Sequence, residues 1–248
     1  GKRQGDPFIM NLWVHDGSKD ITVNRMLYRE LLKDSLDRIF EVEYKNMKDC
    51  VESKVFGIGL ESYTVGSHEF CMGYVMNAKS DHIMMTLDTG HYHPTEVVSA
   101  KLSGVYTFAD HALLHVSRPV RWDSDHVVSF DDETRAIMEE LVRMGKLEDT
   151  YIATDFFDAS INRIAAWVIG IRNTRKAMLA ALLQPVDTMK KIEKDGDVSG
   201  RLAYKEEFKA APFALVWDYY CAKKGAGTGL TWLDDVRAYE KDVLSKRQ

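Results

Sequence analysis

Five short apolar runs punctuate the first 160 positions, and each closes in polar or ionisable residues. They are "PFIMNLWVHDG" (7–17), "DCVESKVFGIG" (49–59), "HIMMTLDTG" (82–90), "ALLHVSRPV" (112–120) and "TYIATDFFDAS" (150–160). Runs this short and continuous read as strands buried on both faces, the habit of parallel sheets. Between them the apolar positions take helical spacing. Leu27, Leu31, Leu32, Leu36 and Ile39 share one helical face in the first connection. Val97, Val98 and Leu102 do so after "HPTE", where Pro94 and Thr95 mark the predicted helix start. "DDETRAIMEELVRMG" opens on acids and stops at Gly145, which suits the helix dipole and a glycine C-terminus.

Strands alternating with helices predict an α/β fold with a parallel sheet. Their repeat of about 30–40 residues is that of a TIM (β/α)8 barrel unit. About five βα units are present where eight close a barrel. From Ala159 onward the pattern is helical throughout. "SINRIAAWVIGIRNTRKAMLAALLQP" reads as two helices, and "KKIEKDGDVSGRLAYKEE" as a solvated helix–turn–helix. "TWLDDVRAYEKDVLSKRQ" reads as an amphipathic final helix with a Thr231…Asp234 cap signal. The expected organisation is therefore 1–160 as later strands and helices of a barrel, and 161–248 as a helical extension. An open five-strand parallel sheet leaves an apolar edge exposed, so such a piece is expected to need further strands.

Composition narrows the class. Of 248 residues, 45% are hydrophobic and 29% charged, with 33 Lys+Arg against 38 Asp+Glu. A net charge of -5 recommends neither nucleic acid nor an acidic membrane as partner. No apolar run of about 18 residues predicts a membrane span. Cys50, Cys71 and Cys221 are odd in number and widely spaced, so they read as reduced thiols in a cytoplasmic protein.

The chemistry sits at the strand ends. The second run offers Glu52 and Lys54, and the third offers Asp88 and His91. The fourth offers His115, then Asp123 and Asp125 in the following loop, and the fifth offers Asp155. In a barrel these ends converge on one mouth, where active sites of this fold lie. Asp123 and Asp125, at i and i+2, share a face if the chain there is extended. Carboxylates so crowded repel one another unless divalent cations stand between them. Oxygen-rich sites with an imidazole each suit Mn²⁺, Mg²⁺ or Co²⁺ better than thiolate zinc. A lone buried carboxylate is more often an ion-pair partner or helix cap, and a lone histidine a satisfied core residue; recurrence on four successive strands separates this set from those readings. His126 reads as a rim or core histidine. Glu61, His68 and Glu69 lie in a loop-like stretch and read as surface or supporting groups. "HYH" (91–93) is an HxH pair that competes as the opening of an amidohydrolase-like two-metal hydrolase, but the "TG" before it predicts a turn. "KKGAGTGL" (223–230) lacks the lysine and hydroxyl of a phosphate loop and reads as a flexible loop.

"VESKVFGIGLESYTVGS", "LDTGHYHPTEVVS", "LLHVSRPVRWDSDHVV" and "DFFDASINRIAAWVIGIRN" closely resemble bacterial L-rhamnose isomerases, over nearly the whole chain from Asn11. The Glu52-x-Lys54 pair also resembles xylose isomerases. The resemblance implies an aldose–ketose isomerase acting on L-rhamnose and L-rhamnulose. It implies a catalytic Mn²⁺ on His91, Asp123 and Asp125, with Lys54 at the reacting end. It implies a second, structural metal on Glu52, Asp88, His115 and Asp155, with Co²⁺, Mg²⁺ or Zn²⁺ as other occupants. Lys54 is equally read as an ion-pair partner of Glu52 or Asp88. The resemblance further implies a homotetramer, and an N-terminal portion that supplies the first barrel strands. A 248-residue piece without that portion is expected to be inactive.

Overall fold

The three inner apolar runs form strands whose aliphatic residues are buried on both faces, whereas the first and last runs, at the two edges of the sheet, are only partly buried. In the computed structural model, which describes the chain apart from residues 1–2, 4, 15–16, 19–21, 55–62, 79, 94, 122, 159 and 248, the elements follow in order. They are β1 (Phe8–Leu12), β2 (Gly17–Ser18), α1 (Arg25–Ile39), β3 (Met47–Glu52), β4 (Tyr63–Thr64), α2 (His68–Ala78), β5 (Ile83–Asp88), α3 (Val98–Tyr106), β6 (Ala112–Val116), α4 (Asp132–Met144) and β7 (Thr150–Thr154). The helices α5 (Arg163–Leu182), α6 (Val186–Lys194), α7 (Val198–Lys209), α8 (Phe213–Lys223) and α9 (Thr231–Asp242) complete the chain. Strands β1, β3, β5, β6 and β7 are parallel and lie side by side in sequence order, a half-barrel. β2 and β4 form a separate antiparallel pair.

Two compact units divide the chain. One holds Gly1–His126 and Met144–Phe156, with the whole parallel sheet; the other holds Val127–Arg143 and Phe157–Gln248. In the first, alternation along each strand sets two faces. Cys50, Met84 and Leu113 form a buried layer on one face, with Ile9, Tyr151 and Ala153 packed against it. Val51, Met85, Leu87 and Leu114 lie on the other face and are equally buried. Helix α2 packs against β3 and β5. Among the described residues no helix is long and apolar enough to cross a membrane. The three cysteines are buried and form no disulfide, and burial pushes the Cys50 thiol up to about 12, which leaves it inert.

Several sequence expectations need correction. Helix α1 buries only Leu32 and Leu36; Leu27, Leu31 and Ile39 are exposed, so the apolar stripe is wider than the face it covers. Helix α3 begins at Val98 rather than at Thr95, because Glu96 N–H bonds the His93 carbonyl in a preceding turn; Pro94 lies outside the described residues. The stretch around His68 is helix, not loop. Helix α5 is one element of 20 residues where two were expected. The Asn162 side chain caps it by accepting from Ile164 and Ala165, and Gly170 passes within it without a break. Thr231 is the first residue of α9 and its hydroxyl bonds the Thr228 carbonyl, so it does not cap the helix. The expected α4 is matched, with Asp131 accepting from Thr134 N–H and Gly145 at φ 70° as the stop.

Candidate metal centre

The strand phase assembles the site. Glu52 lies two residues beyond Cys50, and Asp88 four beyond Met84. His115 lies two beyond Leu113, and Asp155 four beyond Tyr151. All four therefore point to the face of the buried layer, at the C-terminal ends of β3, β5, β6 and β7. The register sets Asp88 directly opposite His115. His115 Nδ1 stands 3.1 Å from Glu52 Oε1, 3.2 Å from Asp155 Oδ2 and 3.6 Å from Asp88 Oδ2. One donor atom from each of the four lies within 4.8 Å of the others.

A second group joins through Asp88. Its Oδ1 accepts from Gly90 N–H at 2.6 Å, and the Asp88 carbonyl accepts from His91 N–H at 3.2 Å. That turn aims His91 inward, where Asp88, His91 and Asp123 also bring donor atoms within 4.8 Å. His91 Nε2 lies 3.4 Å from Asp123 Oδ2, while Nδ1 faces the Ser53 carbonyl at 3.1 Å. His93 is exposed and bonds Thr95 Oγ1 at 2.8 Å, so the two histidines of "HYH" do not share a site and the hydrolase reading fails. Lys54 Nζ pairs with Asp123 Oδ2 at 2.6 Å and sits 4.5 Å from the centre of the Trp13 ring. Its ion-pair partner is thus Asp123, not Glu52 or Asp88.

The loop carrying Asp123 is folded rather than extended. Arg121 and Asp125 both adopt left-handed backbone, at φ 71° and 44°. Val120 N–H and His126 Nδ1 both meet Ser124 Oγ, at 2.9 and 2.8 Å. Asp123 and Asp125 therefore do not stand at strand spacing, and Asp125 lies outside the two close groups. His126 is half-buried and bonded to Ser124, and it lies outside both groups. His68 supports the site from a distance, through Tyr92 OH at 3.1 Å, and Tyr92 OH in turn meets Ser53 Oγ at 3.3 Å. Glu69 is exposed, and Glu61 lies outside the described residues. Asn11 escaped the sequence reading, although an amide in an otherwise apolar strand is a signal: its Nδ2 donates to Glu52 Oε2 at 2.6 Å.

The electrostatics are those of an acid cluster seeking cations. Burial pushes the His115 ring down, but Asp155, Asp88 and Glu52 overcome it and raise it to about 11. His91 is raised against burial by Asp123, Asp88 and Glu52. Burial raises Asp88 despite both imidazoles. Burial also opposes ionisation of Asp123, yet His91 and Lys54 hold it down to about 2. Asp125 is pushed up to about 6 by burial and by Asp123, Asp88 and Asp155. Protonated imidazoles thus stand among the carboxylates where cations would. Asp88 Oδ2, in the residue the two groups share, and Asp123 Oδ1, in the second group, are buried without a hydrogen-bond partner. Buried carboxylate oxygens are rarely left so, and a hard divalent ion satisfies them. The donor set fits such an ion.

The family model for L-rhamnose isomerase (RhaA) matches residues 1–247. The chain belongs to the L-rhamnose isomerase family. It is 58% identical over 247 residues to the L-rhamnose isomerase of Bacteroides thetaiotaomicron, and 53% identical over 249 residues to that of Salmonella paratyphi B. All of this chain is covered in both comparisons, but it spans only 58% and 59% of those relatives' lengths. Among solved structures it is similar to a D-psicose 3-epimerase from Clostridium cellulolyticum, at TM-score 0.44 and 14% identity over 71% of this chain and 62% of that one.

Proposed function

We propose that the protein carrying this chain is a divalent-metal-dependent aldose–ketose isomerase that interconverts L-rhamnose and L-rhamnulose. Family membership supports the substrate pair. The observation that carries the metal dependence is the pair of donor groups joined at Asp88, each with a buried carboxylate oxygen lacking a partner. Glu52, Asp88, His115 and Asp155 would hold a structural ion, and His91, Asp123 and Asp125 a catalytic one, with Mn²⁺ the first candidate. Asp125 is assigned to that set because Asp123, Asp88 and Asp155 all act on its carboxylate. A bound divalent ion supplies Lewis acidity toward a carbonyl oxygen and a lowered pKa for its water.

The residues do the rest. The strand-end carboxylates orient adjacent sugar hydroxyls, which removes much of the entropy from the barrier. Lys54 balances Asp123 and stands ready to face charge on a carbonyl oxygen. Committing the acids as ligands leaves few free to abstract a C2 proton, which favours direct hydride transfer between C1 and C2 of the open-chain sugar. In the same reading the protein is cytoplasmic and homotetrameric, and N-terminal strands complete its barrel.

The test is isomerisation of L-rhamnose by the full-length protein in D₂O, with Asp125→Asn alongside. Hydride transfer predicts product with little deuterium at the receiving carbon; extensive incorporation would sink that route. Wild-type metal content and turnover in Asp125→Asn would remove Asp125 from the site.

A further inference from the structure

The Glu52 carboxylate is held from both sides. Its Oε1 faces His115 Nδ1 at 3.1 Å and His91 Nδ1 at 3.5 Å, toward the donor cluster. Its Oε2 accepts from Asn11 Nδ2 at 2.6 Å. Asn11 is itself fixed: the Thr86 hydroxyl donates to Asn11 Oδ1 at 2.6 Å. An ionised carboxylate only accepts, so the Asn11 atom facing it is the NH₂ group, and the amide oxygen is left for Thr86. Thr86 is fully buried and stands opposite Glu52 in the β3–β5 register. Three strands thus hold one carboxylate in one orientation.

This matters for how many positions a cation keeps open. Oxygen-preferring ions such as Mn²⁺ take six ligands. Glu52, Asp88, His115 and Asp155 giving one atom each leave two positions, the number two adjacent sugar hydroxyls require. A carboxylate free to turn offers both oxygens and closes one of them. Resting on the metal reading above, we infer that Asn11 is a positioning residue: by occupying Oε2 it makes Glu52 a one-oxygen ligand and keeps open a place for the sugar. Thr86 acts through Asn11 by fixing its amide.

The test uses full-length protein loaded with Co²⁺, whose visible absorption responds to which ligands surround the ion. Asn11→Leu is expected to change the Co²⁺ spectrum and raise the KM for L-rhamnose about tenfold, with kcat within about twofold and Co²⁺ affinity within about threefold. Thr86→Val keeps the side-chain volume, moves both readouts the same way by less, and carries the test if Asn11→Leu does not fold. Combining the two is expected to do no more than Asn11→Leu alone. An unchanged spectrum and KM, additive effects in the double variant, or loss of the ion from a folded variant would each overturn the inference. Absence of stoichiometric Co²⁺ from the wild-type protein is a different failure: it refutes the metal reading itself, and this inference with it.

Discussion

A single methyl group at Gly90 tests whether Asp123 is held at a metal-binding distance. A Cβ built there lies 2.7 Å from Asp123 Oδ1 and 3.3 Å from Asp88 Oδ1. Ordinary carbon–oxygen contacts are about 3.3–3.6 Å, so the Asp123 carboxylate must retreat by about 0.6 Å. Gly90 does not have left-handed backbone, so the added strain is in the contact and not in the chain. The retreat is resisted, because Lys54 and His91 hold the other oxygen at 2.6 and 3.4 Å. Metal–ligand distances lie within about 0.2 Å of their ideal values, and a retreat of about 0.6 Å takes Asp123 outside that range. Gly90→Ala should therefore weaken one ion about 10–100-fold, or about 1.4–2.7 kcal/mol. The Glu52/His115/Asp155 ion, touched only through Asp88, should change much less. Mn²⁺ titration of the chelator-stripped full-length protein resolves the two steps. Two wild-type affinities in a folded Gly90→Ala protein would refute the reasoning.

Other outcomes follow from the same structure. Gly73 lies inside α2 and a Cβ there meets nothing within 4 Å, so Gly73→Ala should raise stability by about 0.5–1 kcal/mol, seen as a higher Tm. Leu114 is fully buried on the sheet face away from the site, so Leu114→Ala should cost about 2–5 kcal/mol in denaturant unfolding without altering the metal stoichiometry of the folded protein. Metal uptake should strengthen with pH. His115, raised to about 11, must lose its proton to become a ligand, so affinity should climb up to about tenfold per pH unit near neutrality, with proton release measurable by calorimetry in two buffers. In the metal-free protein the sign reverses for stability: the raised His115 contributes fully below its ordinary 6.5, and that contribution fades as pH rises toward about 11. Asp123, held down to about 2, works the other way, and its contribution disappears as pH falls through that value.

The strands were legible because each is a short apolar run, buried on both faces in β3, β5 and β6 and partly buried in β1 and β7, and a period of two carries Glu52, Asp88, His115 and Asp155 to one side once the run is placed. The turn after Asp88 was legible from "DTG", which is why His91 and His93 part company. What escaped depended on contacts between distant segments. Helix α2 hides because Gly73 and the evenly apolar "FCMGYVM" give little periodicity. The Asp125 backbone is set by the Ser124 bonds, which no spacing rule reveals. Lys54 reads in sequence equally as a group at the reacting end and as an ion-pair partner of Glu52 or Asp88, whereas the folded loop brings Asp123 to it. Asn11 pairs with a residue 41 positions away and reads in sequence as one polar interruption in a strand.

The most direct measurement is metal content against turnover. Full-length protein is stripped by chelation, metal loss is verified by elemental analysis, and L-rhamnose is assayed for conversion to L-rhamnulose before and after Mn²⁺ is returned. Loss of activity with the metal and recovery at one or two ions per chain is the predicted result. Undiminished conversion by protein verified as metal-free would contradict the account.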